Sequence, residues 1–208
     1  MRHVLVTGGA GFLGRRIVEM LQARGDVVRV FCRGAYPDLE ADGVEVVSGD
    51  LRDEQSVTRA CAGIDAVCHV AAKAGVWGPR EEFHQINVRG TANVLAACLA
   101  QKVPALLYTS SPSVAIGDQD IVGGDESLPY PPHYLADYPL SKSLAERMVL
   151  DADGWEMVSN NAFPFAEPGG VRLLRTCALR PHLIYGPRDP HLIPRLIQAA
   201  ATGRLRPV

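Results

Sequence analysis

Short, unbroken apolar runs alternate along this chain with longer segments whose apolar residues recur every three or four positions. The runs are His3-Val4-Leu5-Val6-Thr7, Val27-Val28-Arg29-Val30-Phe31, Val44 to Ser48, Asp65 to Val70, Ala105 to Ser110 and Val171 to Arg180, and each predicts a strand. Phe12 to Arg24 places Leu13, Ile17, Met20 and Leu21 on or near one side of a helix that Gly25 closes. Helices also read from Asp53 to Ala62, Phe83 to Leu99, Leu135 to Leu150 and Leu192 to Thr202, the last ended by Gly203. Most of the strands are apolar throughout rather than alternating, as strands buried on both faces are. The pattern therefore predicts an α/β, doubly wound parallel sheet with right-handed crossovers.

Two stretches break this rhythm. Gly117 to His133 carries Asp118, Asp120, Asp125, Glu126 and three prolines, and reads as a loop near the exit of the fifth strand. Asp151 to Gly170 has acidic residues and no basic one, with Pro164, Pro168, Gly169 and Gly170, and reads as an irregular surface excursion.

Composition narrows the class. The 208 residues suffice for one well-filled domain, and a hydrophobic fraction of 47% excludes overall disorder. A net charge of -2 offers no basic face, so no nucleic-acid partner is expected. No stretch approaches the roughly 20 apolar residues of a membrane span. The chain starts a strand at once, with no signal-peptide pattern. Its five cysteines, Cys32, Cys61, Cys68, Cys98 and Cys177, form no CxxC pair and read as free thiols, mostly buried, of a reducing compartment. A cytoplasmic protein is expected. The histidines show no metal-ligand spacing, and no metal is expected.

The strongest chemical signal is Thr7-Gly8-Gly9-Ala10-Gly11-Phe12-Leu13-Gly14, which leaves the first strand and opens the first helix. Early glycines allow a tight turn and close backbone approach to a pyrophosphate. Gly14 lets the helix pack on the sheet, and the free N–H groups of the helix attract the anion. A dinucleotide site follows, with a purely structural turn as the other reading. Between Arg29 and Tyr36 no Asp or Glu stands ready for the ribose hydroxyls of NAD. Arg33 could meet a 2′-phosphate instead, or be a solvated arginine at a loop start. NADP(H) is favoured and NAD(H) stays open. Asp50, followed by Leu51, either accepts from the adenine amino group or caps the next helix.

Tyr138 and Lys142 are four apart and share a helix face. A lysine cation beside a phenol favours the phenolate and lowers its pKa, making Tyr138 a general acid or base near neutral pH. Ser111 ends the fifth strand, where doubly wound sheets place ligands, and could hydrogen-bond a reacting oxygen. Ser110 and Ser113 are its alternatives. Asn87, in the preceding helix, is either a fourth site residue or a surface or packing amide.

With these residues placed, the chain resembles the extended short-chain dehydrogenase/reductases. Matching motifs are Thr7 to Gly14, Gly49-Asp50-Leu51, His69-Val70-Ala71-Ala72, Asn87-Val88-Arg89-Gly90-Thr91, Tyr108-Thr109-Ser110-Ser111, Tyr138-Pro139-Leu140-Ser141-Lys142, Arg180-Pro181 and Ile184-Tyr185-Gly186-Pro187. Within that superfamily it is most similar to the 3β-hydroxysteroid dehydrogenase-like branch. Ala72 to Gly78 and Pro190 to Leu196 resemble bacterial 2-alkyl-3-oxoalkanoate reductases, and Arg180 to Pro190 resembles decarboxylating sterol-4α-carboxylate 3-dehydrogenases.

The resemblance implies a Rossmann-like domain and an NADP-dependent oxidoreductase. It would interconvert a ketone and a secondary alcohol on a large apolar β-keto or β-hydroxy acid or sterol-like substrate. It implies catalytic roles for Ser111 as oxyanion donor, Tyr138 as proton exchanger and Lys142 as holder of the nicotinamide ribose. Asn87 would support Lys142 through a water. The implied cofactor lining is Gly8, Gly11, Phe12, Leu13, Gly14, Arg33, Asp50, Leu51, Ala71 and Lys142. Trp77 either faces the substrate or packs in the core. Residues 1–150 form the dinucleotide-binding and catalytic core, 151–170 an inserted excursion, and 171–208 the last core strand and the start of a substrate-binding region expected to be truncated. A nucleotide-sugar epimerase or dehydratase and a catalytically impaired NAD(P)-binding fragment are the alternatives. A homodimer through the helices around 83–99 and 135–150 is expected by fold analogy alone.

Overall fold

The structure, a computed structural model, describes residues 1–75, 77–117, 121–157, 172–190 and 192–204. Its strands are β1 (His3–Thr7), β2 (Val27–Cys32), β3 (Glu45–Ser48), β4 (Ala66–His69), β5 (Ala105–Thr109) and β6 (Arg175–Leu179). They form one sheet in the order β3-β2-β1-β4-β5-β6, and every pairing is parallel. Seven helices connect and flank the described strands: α1 (Phe12–Ala23), α2 (Pro37–Ala41), α3 (Glu54–Ala60), α4 (Arg80–Phe83), α5 (Gly90–Gln101), α6 (Asp137–Asp151) and α7 (Leu192–Ala201).

The unbroken apolar runs arise because successive residues serve opposite faces. Val4 and Val6 of β1 join Val28 and Val30 of β2 against Val18 and Leu21 of α1 and Leu39 of α2. Leu5 and Phe31, on the other face, pack with Val57 and Ala60 of α3, Val94 and Ala97 of α5, and Ala145 and Val149 of α6. The chain winds outward from β1 to β3, then crosses back to place β4 on the other side of β1. The resulting crevice lies beyond the carboxyl ends of β1 and β4, where open α/β sheets bind ligands.

Several local expectations are corrected. The helix α2 was not expected; Pro37 at its first position, with its fixed φ, starts it directly after Tyr36. The helix expected over 83–99 runs from Arg80 to Gln101 and holds a π-helical stretch at His84–Arg89, centred on the buried Asn87. Helix α6 starts at Asp137 rather than Leu135, which is exposed. The stretch 151–170 is not wholly a surface excursion. Residues 154–157 fold back on 172–174 with antiparallel hydrogen bonds, and Met157 is buried in the main core. The remainder of that stretch, like the start of the run expected from Val171, lies outside the described residues. All five cysteines are free; Cys61 and Cys98 are buried, whereas Cys177 is exposed. Among the described residues no helix is long and apolar enough to cross a membrane, and no cluster of side chains could hold a metal.

Candidate active site

The turn after β1 is shaped by contacts that exclude side chains. Gly8 takes φ +69°, and a Cβ there would stand 2.8 Å from the Ala71 Cα at the end of β4. A Cβ on Gly14 would stand 2.2 Å from the Gly8 carbonyl oxygen. The turn and α1 are therefore in backbone contact. The first turn of α1 has no side-chain cap and no acidic residue, so its N–H groups are open to an anion. A cavity of about 800 Å³ opens in front of them. Its wall includes every residue expected to hold the dinucleotide, from Gly8 to Lys142, and also Ser111 and Tyr138. An uncapped helix start, glycine-only backbone contacts and a cavity of this size fit a dinucleotide.

At one end of the cavity Arg33 is exposed and in no ion pair with the described residues. Its charge adds to the pull that Arg52 exerts on Asp50. Arg52 holds Asp50 from both sides, Nε to Oδ1 at 2.9 Å and Nη2 to Oδ2 at 2.6 Å, and these hydrogen bonds keep the carboxyl below its ordinary pKa. Asp50 is not the cap of α3. Asp53 is, accepting from the Gln55 N–H at 3.1 Å. Tyr36 and Cys32 also line this end, with Arg15 stacked 5.9 Å from the Tyr36 ring and paired with Asp38.

At the other end stand Ser111, Tyr138 and Lys142. Ser111 is the serine of its trio that best fits the expected place. It lines the cavity, its Oγ lies 2.8 Å from that of Ser113, and it caps the Pro112–Val114 turn. Ser110 lines the cavity too but is buried, and Ser113 does not reach the wall. Lys142 is 2% exposed; its Nζ donates to the Thr109 carbonyl at 2.6 Å and lies 4.1 Å above the Tyr108 ring. Burial pushes its pKa down to about 7, against the opposing pull of Glu146 one turn along α6. The expected lowering of the Tyr138 pKa is overturned: burial pushes the phenol up, and the adjacent Ser111 hydroxyl only partly offsets this. The reason is geometric. The ammonium is spent on the Thr109 carbonyl and the Tyr108 face, and both partners are desolvated.

Asn87 does not line the cavity; it stands behind the wall. Its Oδ1 accepts from the Lys73 N–H at 2.7 Å, and its Nδ2 donates to the Lys73 carbonyl at 3.0 Å and to Ser141 Oγ at 2.9 Å. It is neither a surface amide nor a simple packing one, but a clip between the Lys73 segment and α6. Trp77 is 89% exposed and neither packs in the core nor lines the cavity. Sequence reasoning missed Tyr36, Lys73, Glu82 and Thr109 as lining residues. The Tyr36-Pro37-Asp38 helix-start signal could have found the first. The Lys73–Glu82 ion pair, at 2.6 Å, had no spacing to announce it.

Comparison with known proteins places this geometry in context. The family model described as "3-beta hydroxysteroid dehydrogenase/isomerase family" matches residues 5–206. A "2-alkyl-3-oxoalkanoate reductase" from Shewanella oneidensis is 48% identical over 98% of this chain and 50% of its own length. The human "Sterol-4-alpha-carboxylate 3-dehydrogenase, decarboxylating" is 37% identical over 99% of this chain and 50% of its own. The chain thus spans about half the length of these curated relatives. Among solved structures, a Thermus thermophilus UDP-glucose 4-epimerase in complex with NAD superposes with a TM-score of 0.73 at 32% identity, covering 96% of this chain and 61% of that one.

Proposed function

The chain belongs to the 3-beta hydroxysteroid dehydrogenase/isomerase family, within the extended short-chain dehydrogenase/reductases, and from this premise we propose that it carries the dinucleotide-binding and catalytic machinery of an NADP(H)-dependent oxidoreductase. The substrate class is a large apolar β-keto or β-hydroxy acid, or a sterol-like molecule. One observation carries the reading: a single cavity joins the uncapped start of α1 to Ser111, Tyr138 and Lys142.

In this reading the N–H groups opening α1 hold the pyrophosphate, with Gly8, Gly11, Phe12, Leu13 and Gly14 closing around it. Asp50 and Leu51 meet the adenine, and Ala71 floors the site. Arg33 would meet a 2′-phosphate, which would favour NADP(H) over NAD(H). The dinucleotide, when bound, supplies the hydride chemistry. Tyr138 gives its phenolic proton to the carbonyl oxygen in reduction and takes one back in oxidation. Its raised pKa keeps the proton on the phenol at neutral pH, which suits the acid role. Ser111 donates to the same oxygen as negative charge develops there. Lys142 holds the nicotinamide ribose, and Asn87 keeps the Lys73 segment and α6 in register.

Residues 1–150 would form the dinucleotide-binding and catalytic core, 151–170 an insertion, and 171–208 the last core strand and the start of the substrate-binding region. The reading extends to a cytoplasmic protein with no nucleic-acid partner that pairs with itself through α5 and α6; Leu144 and Leu150 of α6 are exposed. A nucleotide-sugar epimerase or dehydratase is the second reading, favoured by the 32% identity to an epimerase. Product analysis with sugar nucleotides separates the two.

The test is a titration of the purified chain with NADPH and, separately, with NADH, followed by calorimetry. Tight NADPH binding with weaker NADH binding is expected. A folded chain that binds neither refutes the dinucleotide site, and equal binding refutes the role of Arg33.

A further inference from the structure

His69, in the matching His69-Val70-Ala71-Ala72 motif, has no part in the chemistry above, yet it is a polar ring buried beneath the site's floor, 1% exposed. Its hydrogen bonds fix its chemical state without reference to any titration. Thr7 Oγ1 accepts from the backbone N–H of Ala71 at 3.2 Å and from that of Val70, also at 3.2 Å, a donor it shares with the Thr7 carbonyl at 3.3 Å, so both acceptor sites of the hydroxyl face backbone donors. The remaining valence is the O–H, and it points to His69 Nδ1 at 2.7 Å. On the other side, Thr91 Oγ1 lies 2.6 Å from the Asn87 carbonyl, to which it can only donate. Thr91 is therefore free only to accept, and His69 Nε2, 3.0 Å away, must donate. Two independent arguments assign the same neutral Nε2–H tautomer.

The hydrogens then run one way: from the Val70 and Ala71 N–H groups through Thr7, His69 and Thr91 to the carbonyl of Asn87. One end lines the cavity, and the other stands behind the cavity wall. Val70 and Ala71 line its floor, and the Ala71 Cα stands where a side chain on Gly8 would have to go. Asn87, inside the π-helical stretch, clips Lys73 of the wall and Ser141 beside Lys142. Ser141 in turn donates to the Tyr138 carbonyl at 2.8 Å.

We propose that His69 is a positioning residue that locks, as a neutral Nε2–H imidazole, the dinucleotide-binding floor to the helix that carries Tyr138 and Lys142. Only a ring with an acceptor on one side and a donor on the other spans Thr7 and Thr91 at once. The ionisable groups facing it are Tyr108 of β5, with ring centroids 5.6 Å apart, and the charge of Lys142. Neither offers it a proton acceptor, and burial together with the Lys142 charge opposes protonation.

The functional half of this inference rests on the dinucleotide reading; the tautomer does not. Ring nitrogen spectra of the full chain labelled at histidine, with His69 assigned by loss of its signal in His69→Asn, should show a protonated Nε2 and a bare Nδ1, unchanged between about pH 5 and pH 9. An Nδ1–H tautomer, or titration in that range, overturns the relay even if every variant misfolds. The affinity test splits the two arms. The short amide of His69→Asn can still accept from Thr7 but cannot reach Thr91. The longer amide of His69→Gln reaches Thr91 and leaves Thr7 without its acceptor. Both variants sever the lock and both should weaken NADPH binding, His69→Gln about tenfold because it also orphans Thr7 on the floor, and His69→Asn by less. Folded variants that both bind NADPH as wild type does overturn the coupling. A wild-type chain that binds no dinucleotide but shows the assigned tautomer sinks the cofactor reading and the functional half with it, leaving the lock a structural one.

Discussion

Replacing Lys142 by Met tests the electrostatics of the site most directly. The side chain is 2% exposed, and its ammonium lies against the Thr109 carbonyl and the Tyr108 ring face. Burial takes its pKa from 10.5 to about 7. Above pH 7 the folded chain releases this proton while the unfolded chain keeps it until about pH 10.5. The unfolded state then binds more protons, so stability rises with pH through this window and is lost as pH falls through 7. The slope approaches about 1.4 kcal/mol per pH unit, which makes roughly 1.5 kcal/mol between pH 7 and pH 8.5. Other displaced groups act elsewhere. His69, at about 3, gives its dependence below pH 6.5. The thiols of Cys32 and Cys68 and the phenol of Tyr138 are raised by burial, act with the opposite sign, and enter only above about pH 9. Methionine preserves the length and apolar packing of the stem. Urea unfolding across the window should show the wild type climbing and the variant flat. Parallel slopes would mean that Lys142 is fully charged in the fold, and the argument from burial would be wrong.

Three further outcomes are expected. Gly14→Ala drives a Cβ to 2.2 Å from the Gly8 carbonyl oxygen and 2.7 Å from the Gly9 Cα, backbone atoms that no rotamer change relieves; it should cost about 1–3 kcal/mol or more in denaturation and abolish dinucleotide binding. Its control, Gly25→Ala, meets open space and only the strain of φ +86°, about 1–2 kcal/mol, and should bind as wild type. Arg33→Ala should reduce NADPH affinity about tenfold or more and spare NADH, read by calorimetry of both cofactors; a parallel loss would make Arg33 a general anion contact. Tyr138→Phe should bind dinucleotide nearly as wild type and lose turnover about a hundredfold or more, and normal turnover would move the proton to another group.

The parallel sheet was legible because its strands carry apolar residues on both faces, and the glycine turn because backbone contact forbids any other residue at Gly8 and Gly14. Tyr138 and Lys142 were legible because helical spacing is a local rule. What spacing could not convey was direction. Four residues apart on a helix says nothing of the Thr109 carbonyl, 33 positions away, that takes the lysine's hydrogen bond. Asn87 was harder still. Its three side-chain hydrogen bonds go to two residues, 14 and 54 positions distant, and it sits in a π-helical stretch with no composition signal. The short α2 was readable from Pro37 but outweighed by the lack of an apolar period over only five residues.

The electrostatics of Lys142 lead on to the pillar beneath it. Glu146, one turn further along α6, is 1% exposed at its side chain, and burial alone would push its pKa up. Hydrogen bonds reverse that. Arg180, just past β6, reaches Oε1 with Nη2 at 2.6 Å, and Tyr130 of the long loop donates to the same oxygen at 2.6 Å. The carboxylate therefore stays charged, and its charge is what limits the fall in the Lys142 pKa. A buried carboxylate with two such partners is costly to orphan, by about 3–5 kcal/mol for an ion pair broken on one side. The loop, the edge strand and α6 thus meet on one anion. Glu146→Gln should loosen all three, and it should also start the rise of stability at a lower pH, because Lys142 loses a charge that favours its proton. A packing role alone predicts the first effect without the second. Unfolding curves on either side of pH 7 separate them: if the variant is weakened but its pH dependence is superimposable on that of the wild type, Glu146 is a strut and not a regulator of Lys142.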